Sequence, residues 1–429
     1  MPLKRRIAIV GYGSAGQCAA VLLERDGHRV EVFERVPEPG PVGAGFLLQP
    51  SGLQVLWRMG LLPEVLAHGA VVERLFGDTP CGRAVMDMRY DGLDPRLVGI
   101  GLQRGALFSI LSDAFDGRRG VRAGVAITGL EDAGRVLVDA AGRRHGPYDV
   151  VVVADGSASL LRREVGRVRL DRPYPWGALW CLVPASGWPH LRELRQRYVA
   201  ARRMVGLLPV GTRPGDATAR LSFFWSLPTT TFDAWQAGGM EAWKAEVASL
   251  WPEAAPLLRD VCEPSRLARA SYRDSVVAPW HRGHAVLIGD AAHAMSPQLG
   301  QGVNMALLDA MALATALRTH GDVHDALHAL QRERRRHVGI YQRWSRWLTP
   351  MFQSDLDTVA RLRDLALRPA GRLPLARTHM LQVLSGTQQG LFGRIALDAG
   401  FVDALAAGRH PEGGQDERSS HPCRGEPAA

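Results

Sequence analysis

The chain has 429 residues, 46% of them hydrophobic, which is enough to bury a large core in two or three domains. No apolar run approaches the roughly 20 residues that span a bilayer, and MPLKRRIAIVGYGSAG runs from charge into a strand-and-turn pattern without a small-residue cleavage site, so a soluble cytoplasmic protein is expected. Net charge is +9, almost all from arginine because Lys4 and Lys244 are the only lysines, and the five scattered cysteines lack CxxC spacing; nucleic-acid binding, a disulfide framework and a metal site are not expected.

In chain order, RIAIVG (6–11) reads as a strand, SAGQCAAVLLERDG (14–27) as a helix and HRVEVFER (28–35) as a second strand, a βαβ opening. RGALFSILSDAF (104–115) reads as a helix, VRAGVAITGLE and GRVLVDAAGR as paired strands, and YDVVVVADG (148–156) as a buried strand of the parallel kind. Between about 170 and 275 the texture turns to aromatic, Pro-punctuated segments such as YPWGALWCLVP, RRMVGLLPVG and ARLSFFWSLP, which predict an inserted antiparallel sheet. HAVLIGD (284–290) returns to the buried-strand pattern. Two long helices are predicted at 302–319 and 322–347, then helical structure to about 398 and a disordered polar tail. The Arg- and Trp-rich run 331–347 predicts a solvated helix face, with membrane-surface contact as the minority alternative.

Gly11-Tyr12-Gly13-Ser14-Ala15-Gly16 joins the first strand to its helix, and Glu34 ends the next strand 18 residues after Gly16. The first glycine permits a tight turn, the second lets backbone approach a pyrophosphate, and the third allows close helix packing; an acid at Glu34 suits a ribose. These features do not separate NAD from FAD. Two later segments do: VVVADGSASLLRR (151–163), with Asp155-Gly156 at a strand end and Arg162 behind, and GDAAHAMSPQLGQGVN (289–304), in which glycines and Pro297 expose backbone N–H groups just before a helix.

The three ordered motifs, over roughly residues 5–320, resemble those of the flavoprotein aromatic hydroxylases, the group A monooxygenases. The resemblance implies an α/β fold: a Rossmann-like FAD-binding domain, an inserted, mostly antiparallel β-sheet substrate domain, and C-terminal helices. The FAD-binding parts would be 1–70, 101–170 and 276–320, the substrate parts 71–100 and 171–275, the helical region 321–400 and the tail 405–429. It further implies that Gly11, Gly13, Ser14, Ala15, Gly16 and Glu34 hold the ADP half of FAD, with Arg35 beside the adenine. Arg104 would meet the pyrophosphate or ribityl region, and Gly289 and Asp290 the ribityl chain. Asp155 and Arg162 would give mostly structural support, while Pro297, Gly300, Gln301, Gly302, Val303 and Asn304 would line the flavin ring.

On this resemblance NADH or NADPH reduces the flavin, O2 adds, and a flavin hydroperoxide hydroxylates a small aromatic substrate; no catalytic side chain is identified. His293 is expected to be structural, and Trp176, Trp180, Phe223, Phe224 and Trp225 are either cavity wall or core. The alternatives are an epoxidase, a ubiquinone-pathway hydroxylase, a reductase, or a non-catalytic FAD-binding protein. A monomer or homodimer is expected, without stable membrane insertion.

Overall fold

The computed structural model describes residues 3–40 and 43–409. Arg6–Val10 lies at the heart of a six-stranded sheet, flanked by Arg29–Glu34 and Val150–Val153, with Val121–Ala123 and Ala285–Leu287 beyond them; all pair in parallel, and only the short edge strand His281–Arg282 is antiparallel. Both faces are covered, which is why Val150–Val153 reads as an unbroken apolar run. On one face Ile7, Ile9 and Val152 pack with Ser14–Arg25 and Gly302–Thr319; on the other, Val151 and Val153 meet Met305, Val338 and Tyr341.

The aromatic segments form the second, seven-stranded sheet. Its order is Ala268–Ala278, Arg167–Pro184, Asp216–Pro228, Arg203–Arg213, Glu193–Val199, Arg74–Asp78, Ala84–Arg89, antiparallel except between Glu193–Val199 and Arg74–Asp78. The last two strands come from the segment before residue 100, separated in sequence from the rest.

One region departs from expectation. Phe232–Leu250 is a helix within a stretch read as strands; Met240, Trp243 and Val247 recur at helical spacing, but Gly238-Gly239 interrupts the pattern and Gly239 leaves helical geometry at φ 80°. Trp243 packs edge-on against Phe223 and Trp225, which alternate with Phe224 along their strand. Phe224 points to the opposite face, toward Trp180, at 4.9 Å between rings. Four of the five aromatics thus divide by strand parity: Phe223 and Trp225 are core beneath the helix, and Trp180 and Phe224 lie on the other face; Trp176 is buried and donates to Arg202 O.

The long helix after Gly302–Thr319 runs Val323–Phe352, five residues past its expected end; Pro350 falls in the last turn. Helices Asp357–Ala370 and Pro374–Leu384 follow, then a small hairpin, Gln388–Gln389 with Gly393–Arg394, instead of continuous helix. Ala399–Ala407 is helical and buries Phe401 and Leu405, so the start of the expected tail at 405 is corrected; its residues 410–429 lie outside the described residues.

Truncating Trp243 to Ala removes the side chain that joins the inserted sheet to its helix. A loss of about 3–5 kcal/mol is expected, the usual cost of deleting a buried aromatic. Urea denaturation followed by fluorescence measures it, and a loss below about 1 kcal/mol would mean that the helix is not integral to this core.

Candidate active site

The three motifs meet at the carboxyl ends of the parallel strands, where ligands of open α/β sheets bind. Gly11 takes φ +104°, and a Cβ there would collide with the Ala154 carbonyl; a Cβ on Gly16 would collide with the Gly11 carbonyl. Gly13 is different, with nothing within 4 Å of where its Cβ would stand. The first and third glycines are therefore required by protein packing, whereas the second leaves room for a ligand over a helix N-terminus that has no acidic residue and no side-chain cap. Glu34 accepts from Tyr12 N at 2.8 Å and Val36 N at 2.9 Å, which aims its carboxylate into the same turn.

Asp155 ends its strand beside Gly11, with Oδ1 buried and without a partner. Burial pushes its pKa up, partly opposed by Ser159 and by the charges of Arg162 and Arg35. Arg162 is 1% exposed and ties two motifs together. Its Nε donates to Ala291 O, Nη1 to Asp171 and Ser275, and Nη2 to the carbonyls of Gly156, Ser157 and Asp290, at 2.8–3.2 Å. All of its donors are taken by protein.

In the third motif Gly289 adopts φ +58° and caps the short helix Asp290–His293. The Asp290 side chain is exposed toward Gly302, whose Cβ would stand 3.9 Å from Asp290 Oδ1. Gly302 opens an 18-residue helix that likewise has no side-chain cap and no acidic residue in its first turn. Its partial positive charge and free N–H groups face the same space as Asp290. Side chains behind it hold this end still: Asn304 Oδ1 accepts from Gln49 N at 2.9 Å while its Nδ2 donates to Leu47 O and Gly300 O, and Gln301 donates to the Val383 and Leu384 carbonyls. Gln301 and Asn304 therefore offer a ligand their backbone. Pro297 begins the turn that ends in Gly300, left-handed at φ 61°.

Arg104 begins its helix on the opposite wall. Protein surrounds it while the cleft keeps it open to solvent, and this burial lowers its pKa, offset by the nearby charges of Tyr272 and Asp290. It lies 5.6 Å from the Phe46 ring and has no ion pair among the described residues. Tyr272 accepts from Trp180 Nε1 at 3.0 Å, so its own proton is directed elsewhere; burial pushes its pKa up to about 12. Arg35 is exposed at the far end of the cleft, and Ser14 and Ala15 form the first turn of their helix.

Sequence reasoning missed the buried group beneath Asp290. Asp309 Oδ2 accepts from Gly289 N at 2.8 Å and from His293 Nε2 at 2.6 Å, while Oδ1 accepts from Arg334 Nε at 2.7 Å. Burial alone would raise the Asp309 pKa, but the charges of His293 and Arg334 outweigh it and hold the carboxyl well below its ordinary value. Arg334 also donates to His337 Nδ1 at 2.6 Å, and His337 Nε2 donates to Gly386 O at 2.9 Å. His293 thus hydrogen-bonds a buried carboxylate instead of facing the cleft. The available signal was the spacing of Asp309 inside an otherwise apolar helix, MALLDAMALATAL, where an isolated acid needs a partner.

The glycine cradle with space above Gly13, the orphaned Asp155 oxygen and the uncapped helix end beside Asp290 fit an extended dinucleotide whose far end carries an anionic, hydrogen-bonding ring. That combination on a parallel sheet defines an FAD-dependent oxidoreductase. The chain belongs to the FAD binding domain family, which matches residues 4–342. It is 31% identical to kynurenine 3-monooxygenase of Salinispora arenicola over 395 residues, 87% of this chain and 85% of that relative. Pseudomonas aeruginosa PqsL in complex with 2-aminobenzoylacetate superimposes with a TM-score of 0.71 at 25% identity, over 83% of this chain and 99% of that one. A single-residue variant of Klebsiella pneumoniae HpxO complexed with FAD shares the fold at a TM-score of 0.73 and 21% identity, over 89% and 99% of the two chains. The protein is an FAD-dependent monooxygenase of the aromatic-hydroxylase kind.

The His337 tautomer carries a pH dependence. Burial and Arg334 lower its pKa to about 3, because Nδ1 must stay unprotonated to accept from the guanidinium. The unfolded side chain takes up a proton near 6.5, so stability is fully present above that value and falls by up to about 1.4 kcal/mol per pH unit toward pH 3. Melting temperatures measured from pH 7 to 4 should fall less steeply in His337→Gln than in the parent; parallel curves would show that this histidine does not titrate on unfolding.

Proposed function

We propose that the six-stranded unit (residues 1–70, 101–170 and 276–320) holds FAD and that the seven-stranded unit (71–100 and 171–275) supplies the wall against which an aromatic substrate lies, with NADH or NADPH as electron donor. The observation that carries this reading is the convergence of the Gly11–Gly16 turn, Asp290 and the uncapped helix end at Gly302 on one cleft opposite Trp180 and Tyr272. When bound, the flavin supplies the redox and oxygen chemistry that side chains lack.

The chain's own contribution is placement. Gly13 N–H and the following helix end bind the pyrophosphate, and Glu34 accepts from the ribose, with Arg35 beside the adenine. Asp290 accepts from the ribityl hydroxyls, and Arg104 neutralises anionic charge midway. The backbone N–H groups of residues 301–304 stabilise negative charge on the ring by about 1 kcal/mol, more where water is excluded. Tyr272, its oxygen occupied by Trp180, points its proton at an oxygen of the substrate, and Trp180 and Phe224 stack against the ring and keep water away. The relatives act on or bind kynurenine and 2-aminobenzoylacetate. We infer a substrate of similar size, a ring made electron-rich by an amino or hydroxyl group.

Two measurements test this reading. Asp290 is exposed and its side chain has no hydrogen-bond or ion-pair partner among the described residues, so Asp290→Ala should release FAD on gel filtration while the apoprotein melts as before. His293→Ala, which leaves Asp309 short of one partner, should instead lower the melting temperature of the apoprotein. Equal FAD loss with unchanged stability in both would remove the distinction between them. A panel of phenols, anilines, 2-aminobenzoyl compounds and quinolines should contain one that accelerates NAD(P)H oxidation and gains one oxygen by mass. Acceleration without oxygen gain across the whole panel would leave only a reductase.

A further inference from the structure

The corner formed by Asp357–Ala370 and Pro374–Leu384 is built the wrong way round for a helix facing water. Arg363 is turned inward and 2% exposed, its guanidinium 5.1 Å and 4.9 Å from the Tyr198 and Phe352 rings, donating to Met351 O and to Asp364. On the outward face Leu362 and Leu365 are 67% and 64% exposed. The same side continues through the connection, with Leu373 at 62% and Leu375 at 89%. Leu375 precedes His379 by one helical turn, and His379 packs on Trp344, which packs on Trp347, itself 56% exposed. An apolar strip of this length on a protein surface marks a contact with something else.

The charges around the strip say what that is. Arg372 and Arg343 are exposed and make no ion pair among the described residues, and Arg343 lies one helical turn before Trp347. The nearby acids are engaged: Asp355 and Asp357 with Arg202, and Asp364 with Arg363. A second copy seated symmetrically on the strip would bring the same arginines face to face. The chain's own residues 410–429 contain no Leu, Ile, Val, Met, Phe, Tyr or Trp with which to cover it. No helix among the described residues is long and apolar enough to cross a membrane. We propose that this corner docks on the surface of an anionic phospholipid membrane, with the leucines entering the acyl boundary, Trp347 at headgroup level and the arginines on the lipid phosphates.

The test uses the full FAD-loaded chain and vesicles of phosphatidylcholine with or without phosphatidylglycerol, read by flotation. Binding is expected only with phosphatidylglycerol present. Arg372→Gln and Arg343→Gln should each weaken it roughly fivefold, and the pair Leu365→Gln/Leu375→Gln should weaken it roughly tenfold or more. Flavin absorbance and NAD(P)H oxidation in vesicle-free buffer should not change in these variants. Absence of binding to the anionic vesicles would overturn the proposal, as would binding insensitive to the leucine pair. So would a dimer on gel filtration that the leucine pair dissociates, because the strip would then belong to a second copy.

Discussion

No side chain can exist at Gly11, because its Cβ would occupy the place of the Ala154 carbonyl. Everything at the site depends on that close approach. It lets the first strand's turn and the end of the Val150–Val153 strand share one edge of the sheet, so that Asp155 stands beside the glycine cradle. Arg162 then carries the connection onward by holding the Gly156, Ser157 and Asp290 carbonyls in one guanidinium plane. Asp309 completes it from below, since the carboxylate that fixes Gly289 N–H is the one that His293 and Arg334 neutralise. Three segments more than a hundred residues apart are locked into one surface by backbone contact and two buried charges.

The division between groups that face the cleft and groups that support it follows from burial. Arg162, Asp309 and Arg334 are almost inaccessible and engaged with protein, as buried charges must be, and His293 is buried against the Asp309 carboxylate. Asp290 and Arg104 remain open to the cleft without an ion pair among the described residues, where a ligand can use them. The same sorting separates the aromatics, because strand parity sends Phe223 and Trp225 beneath a helix and Phe224 to the opposite face beside Trp180.

How far the sequence was legible depended on the range of the interaction. The βαβ opening, the buried strand before Asp155 and the helix from Gly302 were readable because glycine spacing and apolar runs are local signals. The helix Phe232–Leu250 was not, since Gly238-Gly239 breaks its period; the strands Arg74–Asp78 and Ala84–Arg89 were assigned to the substrate part only through the resemblance, because they join their sheet through a parallel contact that leaves no mark in the local pattern. Asp309 stood in plain view inside an apolar helix, but its partners, His293 in the preceding motif and Arg334 in the next helix, could not be paired with it by spacing.

The sequence by itself determined the class: an α/β chain with three ordered motifs whose glycines and acids suit a flavin dinucleotide, because each motif is a short-range requirement of backbone conformation. Only the tertiary structure decided which motif residues are free to meet a ligand and which are consumed as struts. It alone also decided that the leucines of Asp357–Ala370 face outward while Arg363 faces in. Those outcomes depend on which surfaces come to lie against one another, and a guanidinium set against both the Tyr198 and Phe352 rings is stable inside only once the two rings have been brought together from distant parts of the chain.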